Sequence, residues 1–486
     1  MKLSKTNCHF EIKRSLSLIP WVGKVIRLAL AGGTVMAGLI FISFGIGPAR
    51  AVTVTWVATG TNDWFGTNNW SGQSVPADGY DVIINYTNIG VLLTNTTASL
   101  SSLTITNATT LIFSNWDTTL NATNIYILRN AIVTCVGPFT NNVMTNNVYL
   151  ACSNLTIAGG GNINVNGKGY IGGNCSAGGP GGFGPAGAVA NTGHGASHGG
   201  MGGGDTGQSS PPKSAYDQLV TPNLAGSGGG WWNAPTAHGG GAIRVVATGT
   251  VTVYGTVSAN AVDSTDNAWG GGSGGSVWIT CLRISGTGIV SAAGGKGGSP
   301  TGNGGHGGGG RIAVNYNTND QQGPCGVSFI TRPGIGLATV PQGEIGTLWF
   351  PDTQLIPTNP GTSQFVGQVV SGGGAYNFDS LTINGGWVRL LTSNQVLRVT
   401  NDLRVTAGGT FDIGGDAWQW NAGYGFMRFA SNLPTIQIGG NFLIGSGAVL
   451  NIYSALTNAA QPTGALVTVG GLLAVTNGSA VYPYSH

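Results

Sequence analysis

Charged side chains are scarce in this chain, where Asp, Glu, Lys and Arg make up 7% of 486 residues. Seven of the 19 basic residues but one of the 16 acidic residues lie in the first 51 positions. The remainder therefore carries 12 basic and 15 acidic residues, a net charge of about −3. Recognition of nucleic-acid phosphates needs clustered Lys and Arg. The composition therefore excludes a nucleic-acid partner.

Glu and Lys are also rare after the amino-terminal segment, where Glu344 is the single Glu. Both residue types favour the exposed surfaces of helices. No stretch beyond the first 51 residues shows an apolar period of 3.6 residues. The sequence therefore predicts few exposed helices.

Cysteines are too few and too irregularly spaced for a disulfide framework. Five follow Cys8, and an odd number cannot pair completely. Cys135 and Cys152 are close enough in sequence for adjacent turns of a repeat to bring them together. The alternative is that the five serve as small buried apolar residues. These five are Cys135, Cys152, Cys175, Cys281 and Cys325.

Glycine, in contrast, is abundant, and residues 158–316 are densest in it. Short apolar runs recur there at a nearly constant interval. Ile243 to Val277 is 34 residues and Val277 to Ile312 is 35, while Val257 to Val290, in a second run, is 33. Such self-similarity is typical of a solenoid. The expected unit is two short strands and one long glycine loop.

Strand-type patterns flank the glycine-rich segment on both sides. Residues 52–57 alternate with period two, and several Thr- and Asn-rich strands follow up to Ile157. After about Ser380, three copies of a shorter repeat contain strands that begin at Leu403, Phe442 and Leu472. We interpret each copy as one turn of a solenoid with short corners.

The amino terminus has the pattern of an export signal. A basic region containing Lys2 to Arg27 precedes an apolar stretch at 28–46, and Ala49 and Ala51 form an A-x-A cleavage site. The apolar stretch is also long enough to remain as a membrane anchor. With either outcome, the body of the protein leaves the cytoplasm.

These patterns predict five segments. Residues 1–51 form the signal peptide or anchor, 52–157 an amino-terminal cap with the first turns, and 158–316 the glycine-rich repeats with long loops. Residues 317–379 form a connecting β segment, and 380–486 the carboxyl-terminal repeats. Because His486 falls inside a copy of the repeat, we expect this last segment to be truncated.

The paired-strand units with their glycine-rich loops resemble large secreted bacterial β-helix proteins of the autotransporter-passenger or adhesin type. The resemblance is carried mainly by residues 239–260 and their repeats. The aromatic stretch that contains Trp64, Trp70 and Pro76 is similar to the opening cap of such passengers. The resemblance implies a right-handed parallel β-helix at the cell surface, and it implies no catalytic residues.

Motifs for nucleophilic and metal chemistry are weak. Ser197 and Ser273 each lie in a G-x-S-x-G pattern, but a nucleophile elbow needs a strand before it and a helix after it. Four histidines lie in glycine-rich stretches, which favours solvated or packing roles over metal ligation. They are His194, His198, His238 and His306. We therefore expect no cofactor and no metal site.

Two functions involving glycans remain as alternatives. β-Helix lyases combine clustered acids with a basic residue, and exposed indoles stack on sugar rings. Arg244 and Arg311 begin repeats, so we favour bracing of the glycine loop for both. The candidate acids are Asp263, Asp266, Asp402, Asp412 and Asp416, the candidate bases are Arg283, Lys296 and Arg311, and the candidate stacking residues are Trp231, Trp232, Trp269, Trp418 and Trp420.

The sequence thus predicts an all-β, right-handed parallel β-helix with glycine-rich loops projecting along one side. The predicted function is an exported structural or adhesive protein without catalytic activity. The alternatives are a polysaccharide-active enzyme and a non-catalytic carbohydrate-binding surface. The expected partners are a cell-surface or extracellular polysaccharide and further copies of the chain along the solenoid axis.

Overall fold

The structure is a computed structural model that describes residues 51–174, 181–190, 192–205, 210–231, 237–264, 270–298, 304–336, 342–358, 364–372, 376–390, 396–415, 417–421, 425–430, 435–454, 465–476 and 478–484. These residues form 36 β-strands and one short 3-10 helix, Thr67–Asn69. The predicted signal segment and Cys175 lie outside the described residues.

The strands are short and follow one another throughout the described chain. The first twelve are β1 Thr53–Thr55, β2 Thr61–Asp63, β3 Asp81–Ile84, β4 Gly90–Leu93, β5 Leu100–Ile105, β6 Thr110–Phe113, β7 Leu120–Ile127, β8 Ile132–Cys135, β9 Val148–Ile157, β10 Asn162–Asn164, β11 Gly173–Asn174 and β12 Gly230–Trp231. The next twelve are β13 Ala242–Ala247, β14 Thr250–Val253, β15 Thr256–Ser258, β16 Ser276–Cys281, β17 Arg283–Gly286, β18 Ile289–Ser291, β19 Arg311–Tyr316, β20 Ser328–Ile330, β21 Thr347–Phe350, β22 Phe365–Ser371, β23 Tyr376–Phe378 and β24 Leu381–Asn384. The last twelve are β25 Trp387–Leu390, β26 Val396–Val399, β27 Leu403–Thr406, β28 Thr410–Ile413, β29 Ala417–Asn421, β30 Gly425–Phe429, β31 Thr435–Ile438, β32 Phe442–Ile444, β33 Val449–Tyr453, β34 Leu466–Val469, β35 Leu473–Val475 and β36 Ala480–Tyr484.

Nearly all of the strand pairing is parallel. Twenty-four strands belong to one sheet, and the pairings within it are parallel. Two four-stranded parallel sheets, β23–β26–β31–β34 and β24–β27–β32–β35, accompany its carboxyl-terminal part. The described strands include one antiparallel pair, β29 with β30.

Most strands pair with strands of the next repeat rather than with their immediate neighbours in sequence, although β21 pairs with β22. One row runs β1–β3–β5–β7–β9–β13–β16–β19–β21, and a second runs β2–β4–β6–β8–β10–β15–β18–β20. The long strand β9 also pairs with β14 through its second half, which starts a third row with β17. Each repeat therefore adds one strand to each of several rows.

The sequence repeat sets the register of these rows. Ile243 lies opposite Val277, and Val277 lies opposite Ile312, as the 34- and 35-residue spacings predict. The third carboxyl-terminal copy was predicted one residue too early, because Phe442 pairs with Leu473 and not with Leu472. Since successive side chains on a strand point to opposite faces, this register keeps the apolar pattern of the copies in phase.

The core consists of columns of aliphatic side chains that stack from one strand to the next. Alternate residues of the strands are buried, as period-two patterning requires. In one column Leu103, Ile125, Leu155 and Val251 lie on consecutive strands, and all four are buried. Cross-strand pairs of this kind are the unit of sheet stabilisation.

Three tryptophans close the amino-terminal end of this core. Trp56, Trp64 and Trp70 are buried, and their rings meet edge to face at centroid distances of 4.9 and 4.8 Å. The Trp70 indole N–H donates to the Trp64 carbonyl at 2.7 Å. The aromatic stretch noted in the sequence is therefore a compact cluster packed against the first strands.

The glycine-rich stretches, which were expected as loops along one side, pack closely against one another. Residues 192–205 and 304–310 are almost entirely buried, yet most of them belong to no strand. Their N–H groups donate to carbonyls of several different segments, for example Gly274 to Gly308, Gly305 to Gly193 and Gly200 to Gly309. We call this packed region the glycine layer.

At its glycine positions, the contacts within the glycine layer leave no room for a side chain. A Cβ atom built on Gly274 would lie 2.1 Å from the carbonyl oxygen of Ala292, and one on Gly305 would lie 1.9 Å from that of Gly203. Buried backbone polar groups must be paired, and here they pair with one another across segments. The expected loops pack against one another because glycine permits this close approach of backbones.

The described cysteines behave as buried apolar residues. Cys135, Cys152 and Cys281 are buried thiols, and Cys325 is partly buried. Burial raises the pKa of Cys135, Cys152 and Cys281 to about 12 each. Within the described part of the chain, no helix has the length and hydropathy that a membrane span needs.

Replacing Gly274 by Ala tests the glycine layer. The added methyl group meets backbone atoms on two sides, so we expect a loss of about 1–3 kcal/mol or more in the free energy of unfolding. Gly159→Ala is the matched control, because a Cβ atom there meets nothing within 4 Å. Urea unfolding of both variants measures the difference. Equal stability of the two variants would contradict the packing described here.

Candidate binding cleft

The structure buries both serines of the G-x-S-x-G patterns. Ser197 hydrogen-bonds with the Lys213 carbonyl, and Ser273 accepts a hydrogen bond from the Ser227 N–H at 2.8 Å. Both residues are fully buried in the glycine layer. A nucleophile must reach its substrate, so neither serine is placed for acyl transfer.

Three of the four histidines in the glycine-rich stretches accept hydrogen bonds from main-chain N–H groups. In His194, His238 and His306 the ring Nδ1 accepts a hydrogen bond from a main-chain N–H, which leaves the proton of the neutral ring on Nε2. Burial lowers the pKa of His194 and of His238. The donors are Asp205 at 2.8 Å for His194, Gly172 at 3.3 Å for His238 and Gly297 at 2.9 Å for His306.

The fourth histidine joins a buried polar network. His198 contacts the Gly274 carbonyl through Nδ1 at 2.7 Å and the Asp217 carboxylate through Nε2 at 3.2 Å. Ser276 donates a hydrogen bond toward the same carboxylate oxygen at 3.0 Å. Serine, histidine and aspartate thus meet, but Ser276 and Asp217 approach the same ring nitrogen, and both are shielded from solvent. A catalytic triad needs the two groups at opposite nitrogens.

Asp217 also orders the chain that follows it. Its carboxylate accepts the N–H groups of Gln218 at 2.7 Å, Asn223 at 3.1 Å and Leu224 at 3.0 Å. Burial alone would raise the pKa of Asp217, but the hydrogen bond and charge of His198, together with these backbone donors, hold that pKa below its ordinary value. This carboxylate therefore fixes residues 217–224 onto the glycine layer.

Arg311, one of the candidate bases, is buried beside this network. Its Nε donates to the Tyr216 carbonyl at 2.7 Å and its Nη1 to the Thr347 hydroxyl at 2.9 Å. Burial lowers the pKa of Arg311, while the nearby Asp217 opposes that shift. The side chain links strand β19 to residue 216 and has no access to a substrate.

The candidate acids in the described chain lie apart and have protein partners. Asp263 accepts the Lys296 N–H at 2.7 Å, and Asp402 binds Arg404 at 2.8 Å. Among the described residues, no three His, Cys, Asp or Glu side chains come together as a metal site. Asp266, Asp416 and the side chains of Trp231, Trp232, Trp269, Trp418 and Trp420 lie outside the described residues.

Asp412 is part of a buried ionic cluster. Its Oδ2 accepts hydrogen bonds from Arg389 Nη2 at 3.1 Å and from the Trp387 indole at 3.0 Å, while Asn451 donates to Oδ1 at 2.8 Å. Arg389 also reaches Glu344 at 3.2 Å. Both carboxylate oxygens of Asp412 are occupied, so it cannot serve as a free catalytic acid or calcium ligand.

The antiparallel hairpin β29–β30 contributes to the same cluster. Arg428 on β30 binds the second oxygen of Glu344 at 2.9 Å. Glu344 is thereby held between two arginines that come from β25 and from the hairpin. The cluster therefore anchors the hairpin to the parallel rows.

Arg283, another candidate base, lines an exposed groove of about 540 Å³, whereas the candidate Lys296 is partly buried. Thr250, Thr252, Ser285 and Gln321 line the same groove, and the lining includes no carboxylate. A lyase needs a base that abstracts the proton. It also needs protein carboxylates that hold a cation, or another positive group, to neutralise the acid of the substrate. This groove does not supply that combination among the described residues.

A smaller cleft combines aromatic, basic and acidic side chains. Its volume is about 230 Å³, and it lies where the turn between β6 and β7 approaches the beginnings of β9 and β13. Both strands belong to the first row, so their side chains are adjacent by register. The lining includes Trp116, Asp117, Asn147, Tyr149, Asn223 and Arg244.

Arg244 is clamped between two aromatic rings. Its guanidinium carbon lies 4.3 Å from the centre of the Tyr149 ring and 4.5 Å from that of Trp278. These residues occupy equivalent positions on β9, β13 and β16, so the rings cover opposite faces of the guanidinium. Cation–π contacts of this kind fix the plane of an arginine. Only the edge of Arg244 remains available for hydrogen bonds.

The cleft has unmet hydrogen-bonding capacity. Asn147 is 9% exposed, and its Oδ1 has no hydrogen-bond partner in the described protein. The Nε of Arg244 also lacks a partner there. Buried polar groups are rarely left unpaired, because each costs stability. Two of the residues that line this small cleft thus each carry a polar atom without a partner among the described residues.

Sequence reasoning missed most of this cleft. Arg244 was noted only as a brace, whereas Trp116, Asp117 and Tyr149 were not singled out. The available signal was a Trp–Asp pair in a turn between two predicted strands, since such a turn faces solvent. The strand register then brings Arg244 to the same place.

Part of the cleft lies in a segment that matches a known domain family. Residues 69–169 match the G8 domain. The G8 domain is an extracellular domain type. Trp116, Asp117, Asn147 and Tyr149 lie inside the G8 segment, whereas Arg244 and Asn223 lie beyond it.

No curated protein and no solved structure matches the chain. The G8 match covers only part of the sequence and does not bear on the resemblance to autotransporter passengers or adhesins, which stays a prediction.

Removing Arg389 tests the buried ionic cluster. Arg389→Met leaves the buried Asp412 carboxylate without its counter-charge, so we expect the free energy of unfolding to fall by about 3–5 kcal/mol. Arg404→Met is the control, because that pair lies at the surface, where we expect a much smaller loss. Thermal or urea unfolding compares the two variants. A loss for Arg389→Met no greater than for the control would contradict the structural role of the cluster.

The depressed pKa of Asp217 predicts loss of stability in acid. A carboxyl group with a lowered folded-state pKa stabilises the fold above its unfolded pKa, and this contribution disappears as the pH falls through the folded pKa. We therefore expect Asp217→Asn to lower stability at pH 7 and to flatten the decline of stability below about pH 4.

Unfolding free energies between pH 7 and pH 2 measure this dependence. His198, Arg311 and Tyr216 face the Asp217 carboxyl and remain unchanged in the variant. Asp320→Asn, in a partly exposed turn, is the control for the loss of one carboxyl. An Asp217→Asn protein with the acid dependence of the wild type would show that Asp217 is not the group involved.

Proposed function

We propose that this is an exported, non-catalytic β-helix protein that attaches to polysaccharide outside the cell. The observation that carries the proposal is the cleft formed by Trp116, Tyr149 and Arg244 with Asp117 and Asn147. Aromatic faces beside planar polar side chains are suited to sugar rings, which present apolar C–H faces and hydroxyl edges.

The row pattern supports the β-helix. Each repeat adds one parallel strand to each row, which is what a chain winding as a solenoid produces. Parallel strands joined by crossover connections are right-handed in nearly all proteins. We therefore propose a right-handed helix, with the glycine layer packed against its strand rows.

Export is supported by two independent features. The amino terminus has the basic, apolar and A-x-A pattern of a signal peptide. The G8 domain at residues 69–169 is an extracellular domain type. Together they favour a secreted protein, and a location at the cell surface follows if the protein attaches to surface glycans. Self-association along the helix axis stays a prediction.

The arrangement of acids supports binding over turnover. Asp117 is the single carboxylate among the residues that line the cleft. Most glycoside hydrolases place two carboxylic acids on either side of the bond that they cleave. The lining includes no His, and no second Asp or Glu that could pair with Asp117. The cleft therefore offers recognition groups without an acid–base pair.

A retention and turnover assay tests this proposal. The mature protein secreted from the full chain is incubated with neutral and acidic polysaccharides, with and without calcium. We expect retention on at least one polysaccharide, with no new reducing or unsaturated ends and no effect of calcium. Appearance of such ends would overturn the non-catalytic assignment in favour of an enzyme. Absence of retention on the whole panel would overturn attachment.

A further inference from the structure

The cleft lining includes both hydrogen-bond donors and hydrogen-bond acceptors, and both an acidic and a basic side chain. Asp117 provides acceptors, Asn147 provides an amide with an unpaired oxygen, and Arg244 provides donors along its exposed edge. A saccharide hydroxyl donates one hydrogen bond and accepts others. Vicinal hydroxyls can therefore satisfy an acceptor and a donor of this cleft together.

The charge balance of the cleft disfavours acidic sugars. Asp117 and Arg244 are the charged residues among its lining, so their formal charges cancel. A uronate or sulfate bound to Arg244 would share the small cleft with the Asp117 carboxylate, and like charges at short range repel. The body of the chain after residue 51 also carries a net charge of about −3. These charges favour a neutral ligand.

The size of the cleft limits what it encloses. Its volume of about 230 Å³ is below the roughly 300–1,000 Å³ of sites for drug-sized ligands. The partly exposed Trp116 offers an apolar face at its rim. Such a site encloses one sugar ring and leaves the neighbouring rings of a polymer outside.

We propose that this cleft binds one pyranose ring of a neutral polysaccharide. Trp116 stacks on the apolar face of the ring, while Asp117, Asn147 and Arg244 bind its hydroxyls. Tyr149 and Trp278 hold Arg244 in the orientation that points its edge into the cleft. Asp217 accepts a hydrogen bond from the N–H of Asn223, which also lines the cleft. The inference rests on the proposed attachment to polysaccharide, and it specifies the binding site and the class of polysaccharide.

Affinity electrophoresis of the mature full-chain protein tests the site. The gels contain xylan, galactomannan or dextran as neutral probes and alginate or polygalacturonate as acidic probes. We expect retardation by at least one neutral probe and a weaker effect of the acidic probes. We expect Trp116→Ala to weaken binding roughly tenfold through the loss of its stacking face. Asp117→Asn weakens it about three- to tenfold, because an acceptor of hydroxyl hydrogen bonds becomes an amide.

Two controls separate the site from general effects. Tyr126→Ala removes an exposed aromatic ring from strand β7, outside the cleft lining. Asp379→Asn makes the same carboxyl-to-amide change in a separate groove of about 520 Å³. Both controls retain wild-type retardation if the cleft is the site. Matching thermal unfolding midpoints confirm that the cleft variants are folded, and Asp117→Asn is a mild change at an exposed turn residue.

The outcomes distinguish this inference from the function on which it rests. Retardation by neutral probes that both cleft variants retain would overturn the assigned site but leave attachment standing. Retardation by acidic probes alone would overturn the assigned ligand class in the same way. No retardation by any probe would overturn both the attachment and this inference.

Discussion

Backbone-to-backbone contact between glycine segments is the constraint on which this structure depends. Across the glycine layer, a Cβ atom would lie about 2 Å from a neighbouring carbonyl oxygen at many positions. The hydrogen bonds run between segments rather than along one ladder, so each segment is held by several others. The layer buries the histidines and serines that a sequence search flags as catalytic, and it anchors residues 217–224, which reach the cleft.

The strand rows could be predicted from the sequence because equivalent positions of successive repeats pair with each other in parallel strands. Ile243, Val277 and Ile312 are equivalent in sequence and are neighbours in space. The period-two burial of the early strands follows from their alternation for the same reason. In the third carboxyl-terminal copy the strand begins next to two leucines, Leu472 and Leu473. The pattern alone could not distinguish them, and the predicted register was wrong by one position.

The glycine layer and the cleft could not be read in this way. Glycine allows backbones to approach closely, but a run of glycines does not determine which segments it packs against. The conformation of such a run therefore depends on the segments that lie next to it in the fold. The cleft unites Trp116 and Arg244, which are far apart in sequence and in different repeats. Asp217 offers no pattern at all, and its role emerges only from the five groups that donate hydrogen bonds to it.

The lack of room at the glycine positions of this layer also has a consequence for how the gene can change. Every single-base change at the first or second position of a glycine codon replaces glycine by a larger residue or by a stop. In the layer each such residue adds a Cβ atom where neighbouring backbone already lies. We expect the strand rows to accept exchanges among Val, Ile and Leu more readily, because such exchanges nearly conserve side-chain volume. The glycine positions carry no functional group, yet they are the positions at which we expect the fewest tolerated substitutions.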